Sequence, residues 1–322
     1  MEYPFSEFLR ILGKGPKSRR SLTVAEAQQA MKMVLDGEVT DRQMGAFLLL
    51  MRANGESQQE LVGFLTGLRD YYQLNDSRSG VDLDISAYAG KWRYPPYFLL
   101  SIKLLAQNGY KVLLHGDSGQ FEDRQYAESF AEQLGFYIAN SIEDANNNIR
   151  SGQAVYLPLD RFAPQLKTIL HLKQELGVRT VFNTAVKLLN PLNAKFSMQG
   201  IFHKGVENLH HAASQVNGCQ RNLVFKGEGG EPEIRPDALN RLFFSNDSSD
   251  ELTSFDFKSI TERHKRTTWQ PADLLKLWQG SDDEYGKQAA IATTAVALML
   301  IKNVTVEVAL QEANTMWSER LA

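Results

Sequence analysis

The stretch GEGGEPEI (residues 227–234) sets three carboxylates, Glu228, Glu231 and Glu233, among three glycines. Glycines let backbone N–H groups approach an oxyanion and carboxylates hold a divalent cation, so this composition suits a metal-bound phosphate. Three other segments carry complementary chemistry. HGDSGQFEDR (115–124) opens with His115, Gly116 and Asp117, and an imidazole there could orient a substrate or exchange a proton, the alternative being a structural histidine. SAYAGKWR (86–93) puts Lys91 and Arg93 on either side of Trp92, near Tyr88, Tyr94 and Tyr97. Cations beside exposed rings suit phosphates and stacked bases, whereas rings turned inward would serve packing alone. GKGPKSRRS (13–21) gathers Lys14, Lys17, Arg19 and Arg20 where Gly and Pro interrupt a helix, with no nearby carboxylate; it is either an anion-binding loop or a solvated one.

These loops need elements to hold them. TVAEAQQAMKMVLDGEV begins with Thr23 and carries Glu26 three residues on, a capping box ahead of apolar residues at helical spacing. Thr40-Asp41 starts a second helix that Asn54-Gly55 closes, and Ser57 to Tyr71 reads as a third, so residues 1–75 form an all-helical unit. Met31, Val34, Leu35, Phe47, Leu48 and Met51 offer more apolar surface than so small a unit buries alone, which predicts a homodimer through this unit. After NDSRSG (75–80), β-prone runs (VDLDIS, KVLLHG, AVYLPL, NLVFKG) alternate with helical stretches such as 96–108 and 122–134. That alternation predicts an α/β domain over 76–322 with a mostly parallel sheet, helices near 170–200 packing back on the helical unit, and ligands beyond the carboxyl ends of the strands.

Composition narrows the function. At 322 residues, 43% hydrophobic and a net charge of −3, the chain is globular and no polycation, so local potential decides which anions it meets. The acidic runs 246–256 and 281–284 read as solvated loops. A single cysteine, Cys219, excludes an internal disulfide and reads as a buried thiol. The apolar run Ala289 to Ile301 falls short of the ~20 residues of a membrane span, and MEYPFSEF lacks a leader pattern, so a cytoplasmic location is expected.

Segments 22–57 and 175–191, the latter carrying ELGVRTVFN and the Asn190-Pro191 pair, resemble the helical domain and the RTxFNxLGPLxNP segment of the anthranilate phosphoribosyltransferase family, which has the glycosyltransferase family 3 fold. With His115-Gly116, a Gly200-Ile201 helix start and Ala-rich C-terminal helices, the similarity runs over nearly the whole chain. It implies a small helical domain that dimerises and a large α/β domain of the phosphoribosyltransferase and nucleoside phosphorylase kind, with a mostly parallel sheet flanked by helices. It also implies a phosphate site at Gly90, His115, Gly116, Asp117, Arg179 and Asn183.

The loops that serve catalysis in that family depart from its pattern. Its GTGGD is AYAGKW here, its KHGNRSVSS is LHGDSGQFE, and its GxDGLDEI is GEGGEPEI, which leaves Glu233 as the survivor of a metal-binding pair and Pro232 in place of the other. The Arg-Arg pair of the aminobenzoate-binding enzymes is Lys173-Gln174, and Lys187 stands where the family has a proline. No Mg²⁺ or other cofactor is expected. These departures resemble the YbiB branch of the family, which implies sequence-independent binding of single-stranded or duplex nucleic acid through Lys14, Lys17, Arg19, Arg20, Lys91, Trp92, Arg93 and Lys187. The alternative is a phosphoribosyltransferase with an altered substrate site, using His115.

Overall fold

The computed structural model describes residues 3–75, 80–246, 249–263 and 268–321. The N-terminal unit holds α1 (Ser6–Gly13), α2 (Val24–Leu35), α3 (Asp41–Asn54) and α4 (Gln58–Tyr71). Thr23, Thr40 and Ser57 each close a capping box on the residue three further on, so three of the helix starts are set by local hydrogen bonds. Gly63 and Gly67 let α4 lie directly on α2, since a Cβ at Gly63 would stand 2.4 Å from the Val24 carbonyl oxygen.

The α/β domain follows with β1 (Leu83–Ala87), α5 (Phe98–Gln107), β2 (Val112–Gly116), α6 (Glu128–Ala131), β3 (Tyr137–Ile138), α7 (Ile142–Arg150), β4 (Val155–Pro158), α8 (Pro164–His171), α9 (Lys173–Leu176) and α10 (Phe182–Ala185). It continues through β5 (Phe196–Ile201), α11 (Glu207–Ser214), β6 (Arg221–Lys226), β7 (Asn240–Asn246), β8 (Ser249–Phe257), α12 (Ala272–Trp278), α13 (Glu284–Lys302) and α14 (Val306–Glu319). The sheet order is β3-β4-β2-β1-β5-β6-β7-β8, parallel as far as β6 and antiparallel through the last two strands. Strand order reverses between β1 and β5, so the loops after β1, β5 and β6 meet at one crevice.

Side chains alternate across the sheet. Leu83, Ile85, Val112 and Leu114 face a core built with α5, α13 and α14, while Leu113, Val155 and Leu157 face the core shared with the helical unit. The two units are therefore joined by one hydrophobic core, and the buried Arg69 of α4 fastens them by donating to the carbonyls of Leu189 and Asn190. Among the described residues no helix is long and apolar enough to cross a membrane.

Several expectations are corrected. Met31, Val34, Leu35, Phe47, Leu48 and Met51 are all buried within the single chain, so the apolar surplus that predicted a dimer does not exist at those positions. Gly200-Ile201 ends strand β5 rather than starting a helix. Residues 122–127 are not helical, because Gln125 pairs with Lys91 in an isolated antiparallel bridge. The acidic stretch 246–256 is not a loop but mostly strand β8, with 247–248 outside the described residues, as are 76–79 of the interdomain stretch. Of the run 281–284, Asp283 caps α13 and accepts a hydrogen bond from Tyr97 Oη at 2.6 Å.

Candidate functional site

The crevice at the switch point is filled by the chain itself. Gly90 adopts a φ of +70°, which turns the loop after β1 so that the N–H groups of Ala89 and Gly90 both donate to Glu231 Oε1, at 2.9 and 2.5 Å. Next to them Lys91 Nζ lies 2.5 Å from Glu228 Oε2 and 2.5 Å from Glu233 Oε1, and Glu233 Oε2 accepts from the Phe98 N–H at 2.9 Å. Gly227 is required here, since a Cβ on it would stand 1.7 Å from the Glu231 carbonyl oxygen. Lys187 enters from below and donates to the carbonyls of Gly200 and Gly230 at 2.5 and 2.8 Å.

All five charged side chains are buried, and their proton affinities reflect it. Burial pushes Lys91 down, but Glu233 and Glu228 together outweigh it and hold the ammonium above its usual range. Glu233 is pushed up to about 7, first by burial, with Lys91 opposing and Glu228 reinforcing the shift. Burial also raises Glu231, against the pull of Lys187, and lowers Lys187 to about 8.

A divalent cation does not fit this arrangement. Glu233, the expected metal ligand, and Glu228 are both spent on the Lys91 ammonium, and among the described residues no group of three or more His, Cys, Asp or Glu could hold a metal ion. Nor does a pyrophosphate, since the two backbone amides that would cradle it already hold Glu231.

His115, at the end of β2, is fully buried. Its Nδ1 lies 2.7 Å from Tyr88 Oη, and its Nε2 lies 3.4 Å from Asp84 Oδ1, so this ring braces the strand ends and faces no cleft. Gly116 is needed for close packing, because a Cβ would meet the Ala87 carbonyl oxygen at 2.3 Å. Asp117 is held by His171 Nε2 at 2.7 Å and Lys167 at 3.6 Å, which ties α8 to this loop. Asn183 bridges Thr180 N–H and Gln120, so of the expected phosphate site only Arg179 keeps unspent donors. Cys219 is a buried thiol whose pKa burial pushes up to about 12.

The basic residues divide sharply. Lys91 and Lys187 are withdrawn from any phosphate track: each is buried and bonded inside the protein, because a carboxylate pair and two carbonyls wait for them there. Tyr94 and Tyr97 are also interior, Tyr94 stacking on Tyr285 at 4.4 Å. In the N-terminal loop Arg20 forms a two-pronged bond to Glu26, 2.6 Å for each prong, contrary to the expectation of no nearby carboxylate, and Arg19 donates to Asn54 at 2.8 Å. Lys14 and Lys17 are exposed.

Trp92, half-buried against Gly229, is the centre of a different cluster. The Arg124 guanidinium lies between two rings, 4.2 Å from the Trp92 centroid and 4.0 Å from that of Phe121. Lys173 and Arg179 approach the same Phe121 ring at 3.6 and 5.6 Å, and Arg93 approaches Trp92 at 5.6 Å. Among the described residues none of these four cations has a carboxylate within ion-pair distance, and Arg179 Nε is buried with no hydrogen-bond partner. Burial first, then Arg179 and Arg124, lowers the Lys173 pKa, and Arg179 is lowered by burial and Arg124. Beyond Trp92 and Arg93 a cleft of about 560 Å³ is lined by Phe202, Lys204, Lys226, Arg235, Arg241 and Phe243, with Glu207 and Glu228 on its wall. Phe121, Arg124, Lys204 and Lys226 were not singled out by sequence, although the first two lie in the 115–124 loop that drew attention. Lys173 was noticed only for the arginine it replaces.

A helical bundle seated on a mostly parallel sheet, with glycine-bearing turns converging at the switch point, defines a two-domain fold built around that crevice. The chain belongs to the glycosyl transferase family: the family's helical bundle domain matches residues 6–71 and its α/β domain residues 103–315. It is 27% identical over 298 residues to the anthranilate phosphoribosyltransferase of Sulfurisphaera tokodaii, covering 89% of this chain and 84% of that one. A Saccharolobus islandicus anthranilate phosphoribosyltransferase is likewise 27% identical over 297 residues, covering 89% and 85%. Among solved structures, anthranilate phosphoribosyltransferase from Thermus thermophilus superposes with a TM-score of 0.79 at 20% identity, over 99% of this chain and 95% of that one. The Saccharomyces cerevisiae enzyme in complex with PRPP and Mg gives 0.76 at 15% identity, over 99% and 95%.

Proposed function

We propose that this protein is a sequence-independent nucleic-acid-binding homodimer on an anthranilate phosphoribosyltransferase-like fold, of the YbiB kind, whose donor site is closed. The observation that carries this reading is Arg124 held between Phe121 and Trp92 with Lys173, Arg179 and Arg93 around it and, among the described residues, no carboxylate within ion-pair distance of them. Cations without counter-ions attract phosphates, and half-exposed rings between them accept unpaired bases, whatever the sequence. The closed crevice supports the same reading, because Lys91 and Glu231 already occupy the places a metal and a phosphate would take.

The altered-site phosphoribosyltransferase remains the second reading. It is favoured by the open cleft beside Glu228, whose Lys204 and Lys226 suit a phosphorylated substrate. Fluorescence anisotropy with a labelled random-sequence single strand at two salt concentrations, alongside calorimetry with phosphoribosyl pyrophosphate and Mg²⁺, separates the two. Strand binding that weakens steeply with salt and no isotherm for the pyrophosphate is the expected result. No strand binding at low salt refutes the proposal, and a saturable isotherm that vanishes in Glu233→Ala favours the transferase. Dimerisation is to be checked by sedimentation against the 36.3 kDa chain mass.

A further inference from the structure

We propose that Lys91 is a tethered substitute for a divalent cation and Glu231 a tethered substitute for an oxyanion, so that the crevice after β1 is a binding site filled by the protein's own side chains. Two carboxylates from one turn converge on the ammonium at 2.5 Å each, which is the arrangement that would hold a hard divalent ion if the lysine were absent. Facing them, the consecutive N–H groups of Ala89 and Gly90 hold Glu231 Oε1, as such pairs hold a phosphate oxygen. The turn is shaped to deliver that carboxylate. A Cβ at Gly200 would lie 2.3 Å from the Glu231 carbonyl carbon and oxygen, and one at Gly227 would be closer still to the oxygen, so only glycines admit its backbone there.

A tethered group acts at the high effective concentration of an intramolecular ligand, so dissolved metal or pyrophosphate competes poorly with it. The same bonds fasten the loop carrying Trp92 to the 227–234 turn, with Trp92 packed on Gly229, and they do so without any cofactor.

Its consequence is that removing the lysine creates a metal site. Lys91→Ala leaves Glu228 and Glu233 buried, facing each other and unpaired, with space between them, whereas Lys91→Met leaves them unpaired but fills the space. The experiment is thermal melting of the wild type and both variants in EDTA, MgCl₂ and MnCl₂, with Mn²⁺ binding followed by electron paramagnetic resonance. The wild type should bind no Mn²⁺ at millimolar concentration, and its Tm should be the same in all three media. Both variants should lose roughly 5–10 °C in EDTA, the effect of an unpaired buried charge in a chain of this size. Lys91→Ala should bind one Mn²⁺ per chain and recover at least half of its loss, and Lys91→Met should recover nothing. Should Lys91→Ala fail to fold without metal, purification in millimolar MnCl₂ must rescue it. Saturable Mn²⁺ binding by the wild type that disappears in Glu233→Gln overturns the proposal, as does a Lys91→Ala protein that neither binds Mn²⁺ nor is rescued by it.

Discussion

Replacing Arg124 and Lys173 together by alanine tests where phosphates bind. Six cations lie along the Phe121–Trp92 face and the adjoining cleft without carboxylate partners among the described residues: Arg93, Arg124, Lys173, Arg179, Lys204 and Lys226. A single strand that engages all of them should show a slope of log K against log salt near −4, at about 0.7 per neutralised phosphate. Removing two lowers the slope by about 1.4, so the wild type should lose roughly 300-fold in affinity between about 50 and 200 mM salt and the variant only about 50-fold. Anisotropy titrations of a labelled random-sequence strand across that range provide the measurement. Circular dichroism serves as the control, because Arg124 also donates to the Ala89 carbonyl at 2.6 Å. The comparison is Lys17/Arg19/Arg20→Ala. Lys17, Arg19 and Arg20 are not among the six, and Arg20 is already paired with Glu26, so that variant should leave the slope essentially unchanged. If the double variant keeps the full slope while the triple variant loses it, phosphates bind the N-terminal loop and the cluster at Phe121 has another purpose.

Trp92→Ala should weaken strand binding by ~1–3 kcal/mol with the salt slope unchanged, measured in the same titrations, because a stacking ring is lost and no charge. Gly227→Ala should lower stability by about 2–4 kcal/mol in urea unfolding, since the new methyl group meets the Glu231 carbonyl in the buried turn. Lys187, at about 8 in the fold against 10.5 as its ordinary value, binds fewer protons folded than unfolded between those limits, so its contribution to stability grows as pH rises through that window and is lost as pH falls. Urea unfolding of Lys187→Met across that window should show a smaller rise with pH. Glu233, at about 7 against 4.5, binds more protons folded than unfolded, so its contribution is present below 4.5 and declines as pH rises to 7. The same titration on Glu233→Gln should flatten that decline.

The helix starts were legible because their determinants are local: Thr23, Thr40 and Ser57 bond to residues three positions away. Strand β5 was not, because Gly200-Ile201 reads as a helix start and the polar Ser197 and Gln199 carry no apolar strand signal. In fact they form a buried layer, Ser197 Oγ donating to Asp84 at 3.2 Å and Gln199 Nε2 to Asn222 at 2.7 Å. The departures at the crevice were visible in composition, but their outcome was not. A lysine beside a glycine turn and aromatic rings reads as a phosphate ligand, and the Glu233 carboxylate that holds Lys91 comes from 142 residues further on. Arg20 was misread for a shorter-range reason. Its partner Glu26 comes within reach only because it occupies the third position of a capped helix. The cluster at Phe121 draws on residues 121, 124, 173 and 179, which nothing short of the fold brings together.

The two outer strands of the sheet are treated differently, and this bears on what can attach to the protein. At one margin β3 is only Tyr137–Ile138, too short to template another strand. At the other, β8 runs from Ser249 to Phe257 with open backbone groups, but it exposes Glu251 and Asp256. Charged side chains on a long margin discourage a second copy from extending the sheet, and Asp256 is held there by Arg241 at 2.8 Å. With one margin too short and the other charged, neither end of the sheet offers a ready template for fibre-like association with a second copy.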